Sequence, residues 1–156
     1  MWSPSLRPLQ HLDDVPQAAV QLCSIGMAAT PGSNSGVTRL LIADDRSRTR
    51  RALAAMLATH PRFDLIGEAA DGEAALAAVE RLQPDIVILD IRMPRLDGIA
   101  ATTQIKARWP WIRVVAHSLA VESSDEALAA GADAFVPKGA PADELLKALC
   151  LPEACQ

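Results

Sequence analysis

Residues 85–98 read DIVILDIRMPRLDG: an apolar run, Ile86-Val87-Ile88-Leu89, leads straight into Asp90, and the chain breaks at Met93-Pro94 before Asp97-Gly98. A short, unbroken apolar run bounded by turn residues is the pattern of a strand covered on both faces. Asp90 then falls at the strand's carboxyl end, Pro94 stops the strand path, and Asp97-Gly98 turns the chain into a helix.

The same unit repeats on either side. Strands are expected at Arg39 to Ala43, Asp64 to Gly67, Asp85 to Leu89, Arg113 to His117 and Ala134 to Val136. Helices are expected from about Arg46 to Thr59, Gly72 to Leu82, Ile99 to Arg108, Ser124 to Ala130 and Pro141 to Leu149. Alternation of short apolar runs with Ala-rich helical stretches predicts an α/β fold around a parallel sheet. Leu53, Met56 and Leu57 form the inner stripe of the first helix. Ala74, Leu76, Ala78, Val79 and Leu82 do so in the second, leaving Glu73, Glu80 and Arg81 to water. Pro141 suits a first helical position and Gly131 a C-terminal cap.

The chain has 156 residues, enough for one domain with some to spare, and a hydrophobic content of 50% with 3% aromatics, so the core is built from Ala, Leu, Val and Ile. A net charge of -4 with interleaved signs argues against a large nucleic-acid surface. The local exception is Arg46, Arg48, Arg50 and Arg51, which reads equally as a docking face or a solvated one. Cys23, Cys150 and Cys155 show no metal-ligand spacing and are expected as reduced thiols in a cytoplasmic protein. No apolar run approaches the roughly 20 residues of a membrane span, and residues 18–29 lack the basic lead of a secretory signal. Residues 1–36, with four prolines and the run TPGSNSG, read as a flexible leader whose start is Met1 or Met27; 37–150 form the domain and 151–156 a short tail.

Right-handed crossovers put every strand's carboxyl end on one edge of the sheet, where such folds collect ligands. That edge receives Asp44 and Asp45 after strand one, Asp90 after strand three, His117 and Ser118 after strand four, and Lys138 after strand five. Singly these read as a turn and cap, a loop hydroxyl, a strand-end imidazole and a solvated amine. Jointly, three carboxylates repel, by roughly 4 kcal/mol per pair at about 4 Å, and call for a cation. Mg²⁺ suits a site of few carboxylates, and an opposed hydroxyl and amine suit a phosphoryl group, with Asp90 as its acceptor.

From Arg39 to Leu149, about three quarters of the chain, the sequence resembles the receiver domain of two-component response regulators, most specifically in DIRMPRLDG. LIADDRSRTRRALAAML, GEAADGEAALA and AGADAFVPKGAPADELLKAL make it look most like receivers that precede a LuxR-type helix-turn-helix. The resemblance implies a flavodoxin-like (βα)5 sandwich with strand order 2-1-3-4-5. By position, it implies Asp90 as phosphoacceptor, Asp44 and Asp45 as Mg²⁺-binding acids, and Arg92 as donor of a main-chain carbonyl to the metal. Ser118 and Lys138 take the phosphate-contacting positions and Phe135 that of the switch aromatic. It also implies a histidine kinase or phosphotransfer protein as partner, an output protein on the surface of helix four, strand five and helix five, and a phosphorylation-dependent homodimer.

Three departures stand out. Leu119 follows the hydroxyl where the family has a small residue, and should slow dephosphorylation. The stretch from Ser118 to Lys138 is about two residues shorter than is usual in the family, so the fourth helix or its entry loop should be abbreviated. Gly139 replaces the proline that often follows the lysine. With CLPEACQ at the end of the sequence, the expectation is a stand-alone or truncated switch without a DNA-binding domain. The alternative is a receiver-like docking module independent of phosphorylation. A Mg²⁺-dependent aspartyl phosphatase needs a second Asp where Arg92 stands.

Overall fold

A computed structural model describes residues 36–150 of the chain; the expectations for the leader before Gly36 and for the tail lie outside the described residues. The strands are β1 (Thr38–Ala43), β2 (Phe63–Ala69), β3 (Ile86–Leu89), β4 (Arg113–Ser118) and β5 (Ala134–Pro137). All pairs are parallel, in the order β2-β1-β3-β4-β5. The helices are α1 (Ser47–Ala58), α2 (Gly72–Leu82), α3 (Gly98–Arg108), α4 (Ser124–Ala129) and α5 (Ala142–Ala148), with a 3-10 turn at Val121–Ser123 leading into α4. This is the flavodoxin-like architecture expected from the sequence.

Alternation along the strands divides the core into two layers. Leu41, Ala43, Val87, Leu89, Val114 and Ala116 pack against α2, α3 and α4, while Leu40, Ile42, Ile86, Ile88, Val115 and Val136 pack against α1 and α5. Strand β3 sits at the centre of the sheet and all four of its residues are buried, which explains its lack of polar alternation. The edge strand β2 exposes Asp64 and Glu68. It runs two residues further than expected because its register slips between Leu40 and Leu41 of β1, letting pairing resume at Gly67 and continue to Ala69.

Two local expectations are corrected. In α2 it is Ala75, not Ala74, that joins Ala78 and Val79 in the core, because the helix begins at Gly72 and its buried stripe follows the 3.6-residue period from there. Pro141 precedes α5 in an extended conformation, with Ala142 as the first helical residue. Asp71 and Asp97 cap α2 and α3, each accepting an N–H three residues on, at 2.8 Å.

Helix α4 has six residues against twelve in α1. It closes on Gly131 at φ +108°, with Gly131 N–H donating to Leu128 O and Ala132 N–H to Ala127 O, both at 3.0 Å. This paired-bond closure requires the left-handed conformation that glycine adopts without strain.

The loop after β3 is clasped by two helix starts. A Cβ on Gly98 would run into the carbonyl oxygen of Asp90, and one on Gly72 into that of Leu96. Gly98→Ala is therefore expected to lose about 2–3 kcal/mol in urea unfolding, as overpacking against backbone does, and to shift the amide resonances of residues 90 to 92. Wild-type stability and shifts in that variant would show that the loop does not depend on this close approach.

Candidate functional site

Four of the five strands, β1, β3, β4 and β5, deliver polar groups to the carboxyl edge. Asp44 follows β1, its amide held by Ala69 O at 3.0 Å, and Asp90 follows β3, its amide held by Ala43 O at 2.8 Å. Both side chains are buried, while Asp45 is exposed. Carboxylate oxygens of the three acids lie within 4.8 Å of one another. Lys138 reaches in from the end of β5, its Nζ 2.5 Å from Asp44 Oδ2 and 2.7 Å from Asp90 Oδ2. Its backbone is fixed by an N–H bond to Ser118 O at 2.9 Å.

The charge count is unbalanced. Three carboxylates less one ammonium leave two negative charges, and an all-oxygen donor set with that surplus fits a hard divalent ion such as Mg²⁺. In front of the acids lies a cavity of about 150 Å³ lined by Asp45, Arg46, Asp90, Arg92, Ser118, Leu119 and Lys138. Buried Ser118 accepts the Ala120 N–H on its Oγ at 3.2 Å. Leu119, 58% exposed, borders the cavity mouth.

Arg92 donates its main-chain N–H to Asp90 Oδ1 at 3.3 Å and sends its side chain outward to Glu122 at 2.8 Å. Phe135 is half-buried, on the face of β5 that packs against the α2–α4 layer. The structure thus brings together Asp44, Asp45, Asp90, Ser118 and Lys138 and keeps Arg92 at the rim, while Phe135 packs into the core layer formed with α2, α3 and α4.

His117 is more than the strand-end residue expected from sequence. It is buried, and its Nδ1 has no hydrogen-bond partner. Burial holds its pKa below the usual 6.5, and the Lys138 charge pushes the same way against the opposing pull of Asp44 and Asp90. Because the folded value is depressed, the unfolded chain takes up the proton first. The stability from this group is therefore fully present above 6.5 and is lost as pH falls from there through the folded value. His117→Leu should flatten the loss of unfolding free energy between about pH 8 and about pH 5, and gain about 1 kcal/mol at neutral pH by removing the unpaired nitrogen. An unchanged slope would show that another group carries the acid sensitivity.

Two groups escaped the sequence reading. Glu122 contributes the ion pair with Arg92 from a turn that has no apolar period. Arg50 turns inward from the basic run: its Nη1 donates to Asp44 O at 2.7 Å and its Nε to Glu68 Oε2 at 3.0 Å. Its signal was present in the spacing Arg50-Leu53-Leu57, the inner stripe of α1. The other three arginines, Arg46, Arg48 and Arg51, are exposed.

A doubly wound sheet in this order, with an acidic pocket and an inserted lysine at its carboxyl edge, defines a class of α/β module suited to handling a cation and a phosphoryl group. Residues 40–150 match the response regulator receiver domain, and the chain belongs to that family, the receivers of two-component systems. It is 40% identical over 103 residues to a protein-glutamate methylesterase/protein-glutamine glutaminase of Alkalilimnicola ehrlichii, covering 64% of this chain and 26% of that protein. The chain thus spans about a quarter of the length of that relative. A DNA-binding response regulator of the LuxR family from Staphylococcus aureus superposes with a TM-score of 0.67 at 27% identity, over 72% of this chain and 95% of that one. A CheX-CheY-BeF3-Mg complex from Borrelia burgdorferi gives 0.67 at 30% identity, over 71% and 85%. Receivers of both methylesterase and LuxR-type regulators are therefore among its relatives. Among the described residues no helix is long and apolar enough to cross a membrane.

Proposed function

We propose that this chain is a phosphoacceptor switch in which Asp90 is the residue phosphorylated. The observation that carries the reading is the lysine bridge: Lys138 joins the buried carboxylates of Asp44 and Asp90 at 2.5 and 2.7 Å, pairing the acceptor with the cation-binding acid beside it. Asp90 Oδ2 attacks phosphorus, the bond from phosphorus to the donor's nitrogen or oxygen breaks, and the electron pair leaves with the donor. Lys138 and the Ser118 hydroxyl bind the phosphoryl oxygens, and Asp90 is held by its main-chain bond to Ala43. Asp44, Asp45, Asp90 and the Arg92 carbonyl would hold Mg²⁺, which would supply neutralisation of the charge developing on the transferring group.

The donor is a histidine kinase or phosphotransfer protein, or slowly a small acyl phosphate, and donors of that kind put the chain in the cytoplasm. Its role is that of a switch and not of an enzyme. A phosphoryl group adds about 1.5 to 2 negative charges and draws Ser118 and Lys138 toward it. Phe135 then turns, and the surface of α4, β5 and α5 changes for an output partner or a second copy. The Borrelia complex contains beryllofluoride and magnesium, which supports a site of this chemistry in that relative.

The test is incubation with acetyl phosphate and Mg²⁺, read by intact mass, with beryllofluoride read by amide NMR. The expected result is gain of one phosphoryl group in Mg²⁺ and none in EDTA, with beryllofluoride shifts at residues 44, 90, 118 and 138. Failure with every donor sinks the reading in favour of a docking module. Leu119 bears on lifetime: it borders the cavity through which water reaches the acyl phosphate. Leu119→Ala should speed dephosphorylation about threefold to tenfold, a change of about 1 kcal/mol in the barrier. An unchanged rate would show that Leu119 does not screen the bond.

A further inference from the structure

We infer that Arg50 is a positioning residue for the acid pair at the end of β1, fixing the Asp44 main chain so that Asp44 and Asp45 present their carboxylates to a divalent cation. The inference rests on the reading of those two acids as cation ligands.

The β1–α1 turn is poorly provided for by the usual local means. The N-cap of α1, Arg46, makes no side-chain capping bond, and the first turn of the helix contains no acid. Asp44 substitutes for the cap by accepting the Arg46 N–H on Oδ1 at 2.9 Å. Its other oxygen, Oδ2, is engaged by Lys138. Both oxygens of the carboxylate are thus committed to groups that compete with a cation.

Arg50 holds the same residue without joining that competition. Its Nη1 bonds the main-chain carbonyl of Asp44 at 2.7 Å, and its Nε is anchored on Glu68 Oε2 at 3.0 Å. The fork therefore ties α1, the end of β1 and the edge strand β2 into one frame. The Arg50 side chain is 19% exposed, and Glu68 is half-open at 42%, so the carbonyl bond is the better shielded of the two. A planar guanidinium is suited to this because its donors are fixed relative to each other. When the carboxylate of Asp44 leaves Arg46 N–H or Lys138, the turn keeps its place through the carbonyl. The acid then reorients about its side chain alone, and Asp45 stays beside it.

The test is Mg²⁺ titration of the full chain by amide NMR at Asp45 and Arg46, with amide exchange of both residues in EDTA. Arg50→Gln should raise the Mg²⁺ dissociation constant about tenfold, the loss of one charged hydrogen bond, and speed exchange at both amides. Arg51→Gln removes the same charge from an exposed position on the same helix and should change the constant less than about twofold. Glu68→Gln loosens the anchor and should weaken binding about threefold, which keeps the inference testable if Arg50→Gln does not fold. Equal constants in wild type, Arg50→Gln and Glu68→Gln would overturn it, as would a lowered unfolding midpoint with wild-type affinity. If wild type itself binds no Mg²⁺, the phosphoacceptor reading fails as well, an outcome distinct from an indifferent Arg50.

Discussion

Asp90→Asn is expected to abolish phosphoryl uptake from acetyl phosphate, with no mass gain under conditions that fully modify the wild type. The amide keeps the shape of the side chain, the Ala43 bond and the place of the loop clasped by Gly98, but it lacks the anionic oxygen that attacks phosphorus. Folding should survive, since Lys138 keeps Asp44 as partner at 2.5 Å and one buried carboxylate fewer reduces repulsion. The change in unfolding free energy should stay within about 1–2 kcal/mol. Phosphate still gained by this variant, at Ser118 or at Asp44, would move the acceptor elsewhere while leaving the family intact.

Lys138→Met is expected to have the largest effect on stability. The ammonium is 10% exposed and lies between carboxylates that are 2% and 6% exposed, so its removal leaves two buried like charges facing each other. Breaking a buried pair in this way costs about 3–5 kcal/mol, and the loss should appear in urea unfolding in EDTA near neutral pH. Mg²⁺ should restore most of it, because a divalent ion supplies the missing positive charge, whereas wild type should gain far less from the ion. Phosphorylation at saturating Mg²⁺ should fall by at least about a hundredfold, as when one preorganised contact to a transferring group is removed. Wild-type stability in EDTA together with wild-type phosphorylation would show that the bridge is incidental.

Much of this was legible because the central strands carry no polar residues to confuse their period. Ile86 to Leu89 and Leu40 to Ala43 are buried on both faces, so their ends, and hence Asp90 and Asp44, could be placed to the residue. The helix faces were harder. Ala74 and Ala75 have the same hydropathy, and only the start of α2 at Gly72, set by the Asp71 cap, decides which one points inward. Arg50 was grouped with its neighbours because charge dominates the reading of a basic run, although its spacing to Leu53 and Leu57 places it on the buried side. The Arg92–Glu122 pair joins two loops thirty residues apart in sequence, a closeness that no local pattern encodes. Asp45 and Ser118 are readable from their places after β1 and β4 on the carboxyl edge, whereas the switch role of Phe135 is implied by the resemblance alone. In the structure Asp45 and Ser118 border the same cavity, and Phe135 packs against the core layer formed with α2, α3 and α4.

Helix α4 has a thermodynamic consequence for the proposed switch. Six residues, with Ala127 as the only one buried, fall well below the length at which a helix holds itself. The segment is maintained by its glycine closure and by docking on the sheet, so its opening free energy lies at the low end of the fold's range. The rigid partner is the β1–β3 ladder, whose residues are almost wholly excluded from solvent. Local opening of α4 is therefore expected to precede global unfolding, and its amides should exchange with solvent while those of β3 remain protected. A two-state equilibrium seated there has a small gap, and a ligand shifts it with only a few kcal/mol of differential affinity.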